Sequence, residues 1–361
     1  YNLRALDQET VAISLSKKYK VFFITIQESG EIHKYLKSKN IEAVSIFIGN
    51  KINSILFLQK LFLFYRFFLF FRKYKPDIVF SHLETCGLIA GILNIFCNFK
   101  NFYFRHNADS HLIDGNYKAK IVNFIVNTIS KKIVCVSKSV FEYLLKIEKV
   151  PISKLIQIDY CYDFNNFKST IDLNEIQTLK DKYKSDFLFL TVGRLVPLKR
   201  HNLIIDLIYK LSRNSDKKYT LLILGVGDQL ELLKKKVHSL NLDKYVYFLG
   251  YVKHTYKYYY ISDALIHFSS SEALGHVVIE SGASKKPVIV CRDVGIFNEL
   301  INDGDNGLIV EKINPVIDSY NKIIKCDKKN LKIMGENFYY TINNKFNINI
   351  VEQKYINLIE Q

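Results

Sequence analysis

Short runs dominated by Val, Ile, Leu and Phe alternate along this chain with longer stretches whose apolar residues recur at helical spacing. Residues 21–26, 43–48, 77–81, 101–105 and 132–136 form a first series of such runs, and 187–192, 220–224, 246–249, 264–268 and 287–291 form a second. Each run is too continuously apolar to leave one face in water, so each predicts a strand covered on both sides. Helix-length segments between consecutive strands make this βαβ twice over, an α/β fold. The expected architecture is two Rossmann-like doubly wound domains followed by C-terminal helices.

Residues 163–183 are polar, carry no strand pattern and precede a fresh strand, which marks a linker with the boundary near Lys168. Domains are therefore expected over 1–167 and 168–335, with 336–361 a helical segment packing back towards the first. The length, 361 residues, suits two cores. The chain opens on Tyr1, and residues 1–15 lack the basic-then-apolar order of a signal peptide; an opening strand of the first domain is expected to be missing.

Residues 55–71 are the most apolar stretch, yet Lys60 and Arg66 interrupt it, and Gln59, Arg66 and Lys73 recur on one narrow stripe. A spanning helix would have to hide cations in mid-bilayer. The pattern fits a core helix, or one lying in a membrane interface beside basic residues.

Composition sharpens this only in places. Hydrophobic residues are 48% and charged residues 24%, with few Gly and Pro, which excludes a disordered chain. The six cysteines form no C-x-x-C pair and have no His at zinc spacing, so reduced, mostly buried thiols in a cytoplasmic protein are expected. A net charge of +16 calls for an anionic partner: a phosphorylated substrate, acidic lipid or nucleic acid. No nucleic-acid-reading element accompanies it, so nucleic acid is not expected.

Two segments concentrate the chemistry. After the strand at 187–192, Gly193 opens a turn carrying Arg194, Lys199 and Arg200 into a helix. Strand C-termini in parallel sheets face the ligand crevice, and the planar fork of Arg194 with the mobile charge of Lys199 suits a diphosphate. After the strand at 264–268, Glu272 and Glu280 flank Gly275-His276-Val277. There Gly275 permits close backbone approach, the amides of His276 and Val277 at a helix start favour an anion, and Glu280 can accept two ribose hydroxyls.

Taken together, these segments resemble the second domain of retaining GT-B glycosyltransferases of glycosyltransferase family 4. The resemblance rests on Gly193-Arg194 with Lys199, Gly225-Val226-Gly227-Asp228, Glu272 with Glu280, Pro287-Val288, and Val294-Gly295-Ile296 with Glu299. It is tight over residues 185–311. It implies that Gly193, Arg194 and Lys199 hold the donor diphosphate, Glu280 the ribose, Glu272 the sugar, and Gly275, His276 and Val277 the sugar and phosphate by their backbone. In the first domain, Lys75-Pro76-Asp77-Ile78-Val79 and Phe104-Arg105-His106-Asn107-Ala108-Asp109 resemble the family's P-D-x-V strand and H-G-x-D segment, which places His106 beside the reacting sugar. Residues 1–167 would then bind acceptor and 168–335 donor. The chain departs from the family at Tyr160-Cys161-Tyr162-Asp163, where N-G-x-D is usual, and at Ala273, where glycine is usual.

The implied activity is retaining, hexosyl-type transfer from a UDP- or GDP-sugar to a glycan or lipid-linked acceptor in surface-polysaccharide synthesis. No cofactor and no metal are expected, because fixed cations and N–H dipoles can stabilise the departing diphosphate. Asp303-Gly304-Asp305 has D-x-D spacing but sits among Asn302, Asn306 and Gly307, which is turn chemistry. Gly225-x-Gly227 lacks the third glycine of a dinucleotide fingerprint. The expected place is the cytoplasm, peripherally at an anionic inner membrane face. A non-catalytic sugar-nucleotide-binding subunit and a GT-B epimerase are the rival readings.

Overall fold

The computed structural model describes residues 6–47, 56–106, 117–164, 172–272 and 274–361. The chain divides into two compact units, one within residues 1–163 and 346–361 and the other within 164–345. Lys168, the expected boundary, lies outside the described residues, as do Asn107 to Asp109 and Ala273.

In the first unit, β1 (Phe22–Thr25) pairs in parallel with β2 (Glu42–Ser45). A four-stranded parallel sheet follows, with β3 (Ile78–His82), β4 (Lys100–Arg105), β5 (Lys132–Cys135) and β6 (Leu155–Gln157) side by side in chain order. Its central strands are the most buried, with Tyr103, Phe104, Ile133 and Val134 wholly withdrawn from water. The helix Leu83–Cys97 packs against the sheet and against the helix Tyr117–Ile129. A Cβ on Gly87 would stand 2.8 Å from Val126, and one on Gly91 2.4 Å from Ile129, so these glycines let the two helices approach. The terminal helix Ile348–Glu360 also belongs to this unit, where Tyr355 stacks on Phe104 at 5.8 Å.

The second unit is a six-stranded parallel sheet of β7 (Phe187–Val192), β8 (Tyr219–Leu224), β9 (Val246–Gly250), β10 (Ala264–His267), β11 (Val288–Cys291) and β12 (Leu308–Val310). Their spatial order is β12-β11-β10-β7-β8-β9. Helices cover it; His201–Arg213, for example, buries Ile204, Ile205, Leu207, Ile208 and Leu211. That spacing is one helical face, worth about 1.5–3 kcal/mol per fully buried large side chain.

Every strand expected from the apolar runs is present, with ends within one residue of the expectation except at β2, which stops at Ser45 where the run extends to 48. β6 and β12 were not expected, because three residues at a sheet edge give neither an alternation nor a run long enough to read. The 163–183 segment carries the helix Leu173–Lys182, started by the Asp172 side chain accepting from the Asn174 amide. The expected division at 335/336 falls inside the helix Lys328–Phe346, and the units divide at 345/346 instead. Gly335 does not break that helix: a Cβ there would meet the Lys285 carbonyl at 2.1 Å, so its role is close packing.

Candidate functional site

In the second unit, successive strands run outward from β7 in one direction and from β10 in the other, and these two are neighbours. Such a reversal of strand order opens a crevice at the strand C-termini. Both segments singled out in the sequence leave the sheet there, one after β7 and the other after β10.

Backbone bonds fix the loops. Gly193 N donates to the Leu224 carbonyl at 2.9 Å and Leu195 N to Val226 at 3.0 Å, lacing the turn after β7 to that after β8. Gly225 makes this possible: its φ is +147° and a Cβ would lie 1.8 Å from the Gly193 carbonyl oxygen. Across the switch point, Ser270 N donates to the Leu198 carbonyl at 2.9 Å, joining the β7 loop to the β10 loop.

That juncture brings Lys199 and Glu272 together in a direct ion pair, largely withdrawn from water. The same Glu272 oxygen, Oε1, is 2.7 Å from His267 Nε2 at the end of β10. Burial pushes the Glu272 carboxyl up, but the hydrogen bonds and charges of His267 and Lys199 outweigh it and bring it down to about 2. His201 lies behind this group, buried; desolvation first, then the charges of His267 and Lys199, lower it to about 3, so it is a neutral ring at pH 7. The expected cluster of cations thins accordingly: Arg200 adopts a left-handed φ of 52° and donates to the Lys312 carbonyl at 2.9 Å, a structural use. Arg194 is exposed.

Gly275, at φ +78°, caps the helix His276–Ala283, and a Cβ there would stand 2.6 Å from the Phe297 ring. His276 and Val277 form the first turn of this helix, and the His276 ring feels the charges of Glu272 and Lys199. One turn on, Glu280 accepts from Tyr259 Oη at 3.0 Å. Desolvation raises its carboxyl to about 7, against the opposing effect of that hydrogen bond.

In the first unit, His106 follows β4 with its ring held at both nitrogens. Nε2 is 2.9 Å from His82 Nδ1, and Nδ1 is 2.7 Å from Tyr160 Oη. Burial, then the neighbouring His106, depresses His82 well below the usual histidine range.

Asp303 and Asp305 serve the turn they lie in. Asp303 accepts from the Ile309 amide and Lys322 Nζ, at 3.0 and 2.7 Å, and Asp305 accepts from Asn337 Nδ2 at 2.8 Å.

The structure thus gathers Lys199, Glu272, Gly275 and the first turn of the helix His276–Ala283. The sequence reading missed His267, Tyr259, His82 and Tyr160, the partners of the selected residues. His267 carried a usable signal, a lone histidine at the end of an otherwise apolar strand that leads into Glu272. Tyr259 and Tyr160 carried none, since each lies among other tyrosines.

Residues 174–339 match the family described as glycosyl transferases group 1. An uncharacterized glycosyltransferase of Methanocaldococcus jannaschii is 28% identical over 267 residues, covering 72% of this chain and 69% of that protein. The poly(ribitol-phosphate) alpha-N-acetylglucosaminyltransferase of Staphylococcus aureus is 23% identical over 199 residues, 55% of this chain and 40% of that protein. Among solved structures, Anabaena HepE in complex with UDP and glucose superposes with a TM-score of 0.83 at 17% identity, covering 99% of this chain and 96% of that one. The fold is therefore that of GT-B glycosyltransferases, and the family match and relatives support a glycosyltransferase.

Proposed function

We propose that this chain is a retaining, metal-independent hexosyltransferase of family 4, which moves sugar from a nucleotide-sugar donor to a glycan or lipid-linked acceptor during surface-polysaccharide assembly. The observation that carries this reading is the juncture of the β7 and β10 loops, where Lys199 and Glu272 meet at the switch point of the sheet. A UDP-sugar is the favoured donor, because HepE, one of the GT-B neighbours of this chain, was solved with UDP and glucose.

In this reading Arg194, Lys199 and the amides at the start of the helix His276–Ala283 receive the diphosphate, with Gly193 and Gly275 giving it backbone clearance. Breaking the sugar–phosphate bond builds charge on that diphosphate, and preorganised cations and N–H dipoles stabilise it more than the ground state. Glu280 takes the ribose hydroxyls and Glu272 the sugar hydroxyls. Because Glu272 is kept ionised by Lys199 and His267, it accepts from sugar hydroxyls throughout the neutral range. His106 contacts the reacting sugar by exchanging one of its two hydrogen bonds, to His82 or to Tyr160, for a hydroxyl. With retention, the acceptor hydroxyl approaches the face from which the phosphate departs, and the phosphate oxygen takes its proton.

The test is turnover of UDP-, GDP- and ADP-sugars, with a thermal-shift screen of the same compounds. Transfer with retained anomeric configuration is expected with one of them. Binding without any turnover would return the chain to a sugar-nucleotide-binding subunit, and inversion of a sugar centre without transfer would make it an epimerase.

A further inference from the structure

The helix Tyr117–Ile129 places polar side chains inward beside Val126 and apolar ones outward. It buries Asn123 and Asn127, whose amide donates to Glu148, and leaves Phe124 and Ile121 71% and 61% exposed. Its exposed stripe runs Ile121, Phe124, Ile125, Ile129, one continuous helical face. Soluble proteins scatter exposed apolar residues singly, and a contiguous face of them marks a contact surface.

The face continues sideways. Through Gly87 and Gly91 the helix Leu83–Cys97 lies tight against Tyr117–Ile129, and it exposes Ile95 and Phe96 at 77% and 60%. Phe96 in turn meets Phe68 edge-on at 6.4 Å, which joins it to the helix Leu56–Tyr74. That helix buries Phe67 and Phe71 in the core of the unit and presents Leu61, Phe62 and Leu69 outward. Among its described side chains the exposed charges are Arg66, Arg72 and Lys73, and its sequence has no acidic residue; Tyr117–Ile129 likewise carries only basic charge, while Leu83–Cys97 between them carries one charge, Glu84, in its first turn, at the opposite end from Ile95 and Phe96.

We infer that these three neighbouring helices form a docking face that inserts its apolar side chains into the surface of an anionic lipid bilayer. Apolar residues rimmed by cations are what the headgroup boundary of such a bilayer rewards: side chains enter the acyl edge while Lys and Arg remain with the phosphates. A second copy of the chain suits the face less well, because it would set one basic rim against another on a protein whose net charge is already +16. Among the described residues no helix is long and apolar enough to cross a membrane, so insertion is shallow. The inference deepens the proposed use of a lipid-linked acceptor and rests on that reading for its purpose, though its test does not use the transfer reaction.

The experiment is flotation of the whole chain with vesicles of phosphatidylglycerol and phosphatidylcholine, and with phosphatidylcholine alone. Wild-type protein is expected on the mixed vesicles, less so as salt is raised, and poorly on phosphatidylcholine. The triple variant Ile95→Glu, Phe96→Glu, Phe124→Glu changes only exposed positions and should lose binding by about tenfold or more. Lys234→Glu with Lys235→Glu, in the second unit, removes more positive charge and should keep binding within about twofold if the face rather than net charge is responsible. Equal flotation of wild type and triple variant overturns the proposal, as does failure of the wild type to bind either vesicle. So does a wild-type dimer that the triple variant abolishes, which would assign the face to a second copy. Face-dependent flotation by a protein that turns over no nucleotide sugar would leave this inference standing and remove the proposed function instead.

Discussion

Lys199 and Glu272, 73 positions apart in sequence, neutralise one another at the end of the second-unit sheet, and His267 shares the same carboxylate oxygen. The two residues that the family resemblance gives to different parts of the donor are therefore partners before any donor arrives. A diphosphate that recruits Lys199 must share it with Glu272 or take it away.

The pair should matter to stability first. Its side chains are 16% and 13% exposed, so removing one partner strands a mostly buried charge, at a cost of about 3 kcal/mol. Lys199→Met and Glu272→Gln should each lower the unfolding free energy in urea, and the double variant should lose less than the sum. Strict additivity would show that the pair is not coupled. Because the folded carboxyl is held near 2, its contribution is present above the ordinary carboxylate range and fades as pH falls through about 2.

Nucleotide binding should separate the same residues. Arg194→Ala removes one charged hydrogen bond to phosphate and should weaken UDP binding roughly ten- to a hundredfold. Glu272→Gln releases Lys199, so UDP should bind as well as or better than to wild type while sugar transfer slows, since the lost contact orients only the sugar. Calorimetry beside turnover checks this. Weaker UDP binding in Glu272→Gln would mean that the carboxylate positions Lys199 for phosphate instead of competing for it.

How much of this could be read from the chain depends on the kind of interaction. Strands such as Phe187–Val192 and Tyr219–Leu224 were legible because burial on both faces of a parallel sheet demands unbroken apolar runs. β12 was not, since Leu308–Val310 is ordered by pairing with β11, which no local pattern encodes. Lys199 and Glu272 were each legible as charges beside glycine turns, but their direct contact was not. It depends on the order β10-β7, a long-range fact, and on the Ser270 to Leu198 bond. His106 was chosen from a motif, whereas the His82 and Tyr160 contacts that hold its ring come from β3 and from the segment after β6.

Gly225→Ala should be among the most damaging single-methyl changes in the second unit. The new Cβ would lie 1.8 Å from the Gly193 carbonyl oxygen, and the φ of +147° disfavours any L side chain. The loops after β7 and β8 would have to part, at about 3 kcal/mol or more. Thermal melting of Gly225→Ala within a degree or two of wild type would show that the loops yield without cost.

Chelation should leave transfer intact. Asp303 and Asp305 are engaged by Lys322, the Ile309 amide and Asn337, so Asp303→Asn should cost about 1 kcal/mol of stability through a weakened bond without creating a metal requirement. EDTA treatment followed by Mg²⁺ or Mn²⁺ add-back is the measurement. Activity lost to EDTA and regained with either ion would overturn the metal-independent reading.

Glu280 gives the donor site its own pH dependence. Desolvation raises its carboxyl to about 7, with the Tyr259 hydroxyl pulling the other way. A carboxyl raised on folding stabilises the native state below its unfolded value, near 4.5, and that contribution is lost as pH rises through about 7. The donor should show the opposite slope. Ribose hydroxyls donate to an ionised carboxylate, so bound donor favours deprotonated Glu280, and near neutrality binding releases a proton. Affinity for the nucleotide sugar should climb from pH 5 to about 7, by at most about tenfold per unit, and then level off. A nucleotide sugar is the right probe, since its diphosphate is a diester with no ionisation in this range, unlike free UDP. Calorimetry in two buffers of different ionisation enthalpy counts the proton. Glu280→Gln should bind donor more weakly and lose the slope and the proton release together; an unchanged slope in that variant would place the titrating group elsewhere and remove Glu280 from the ribose.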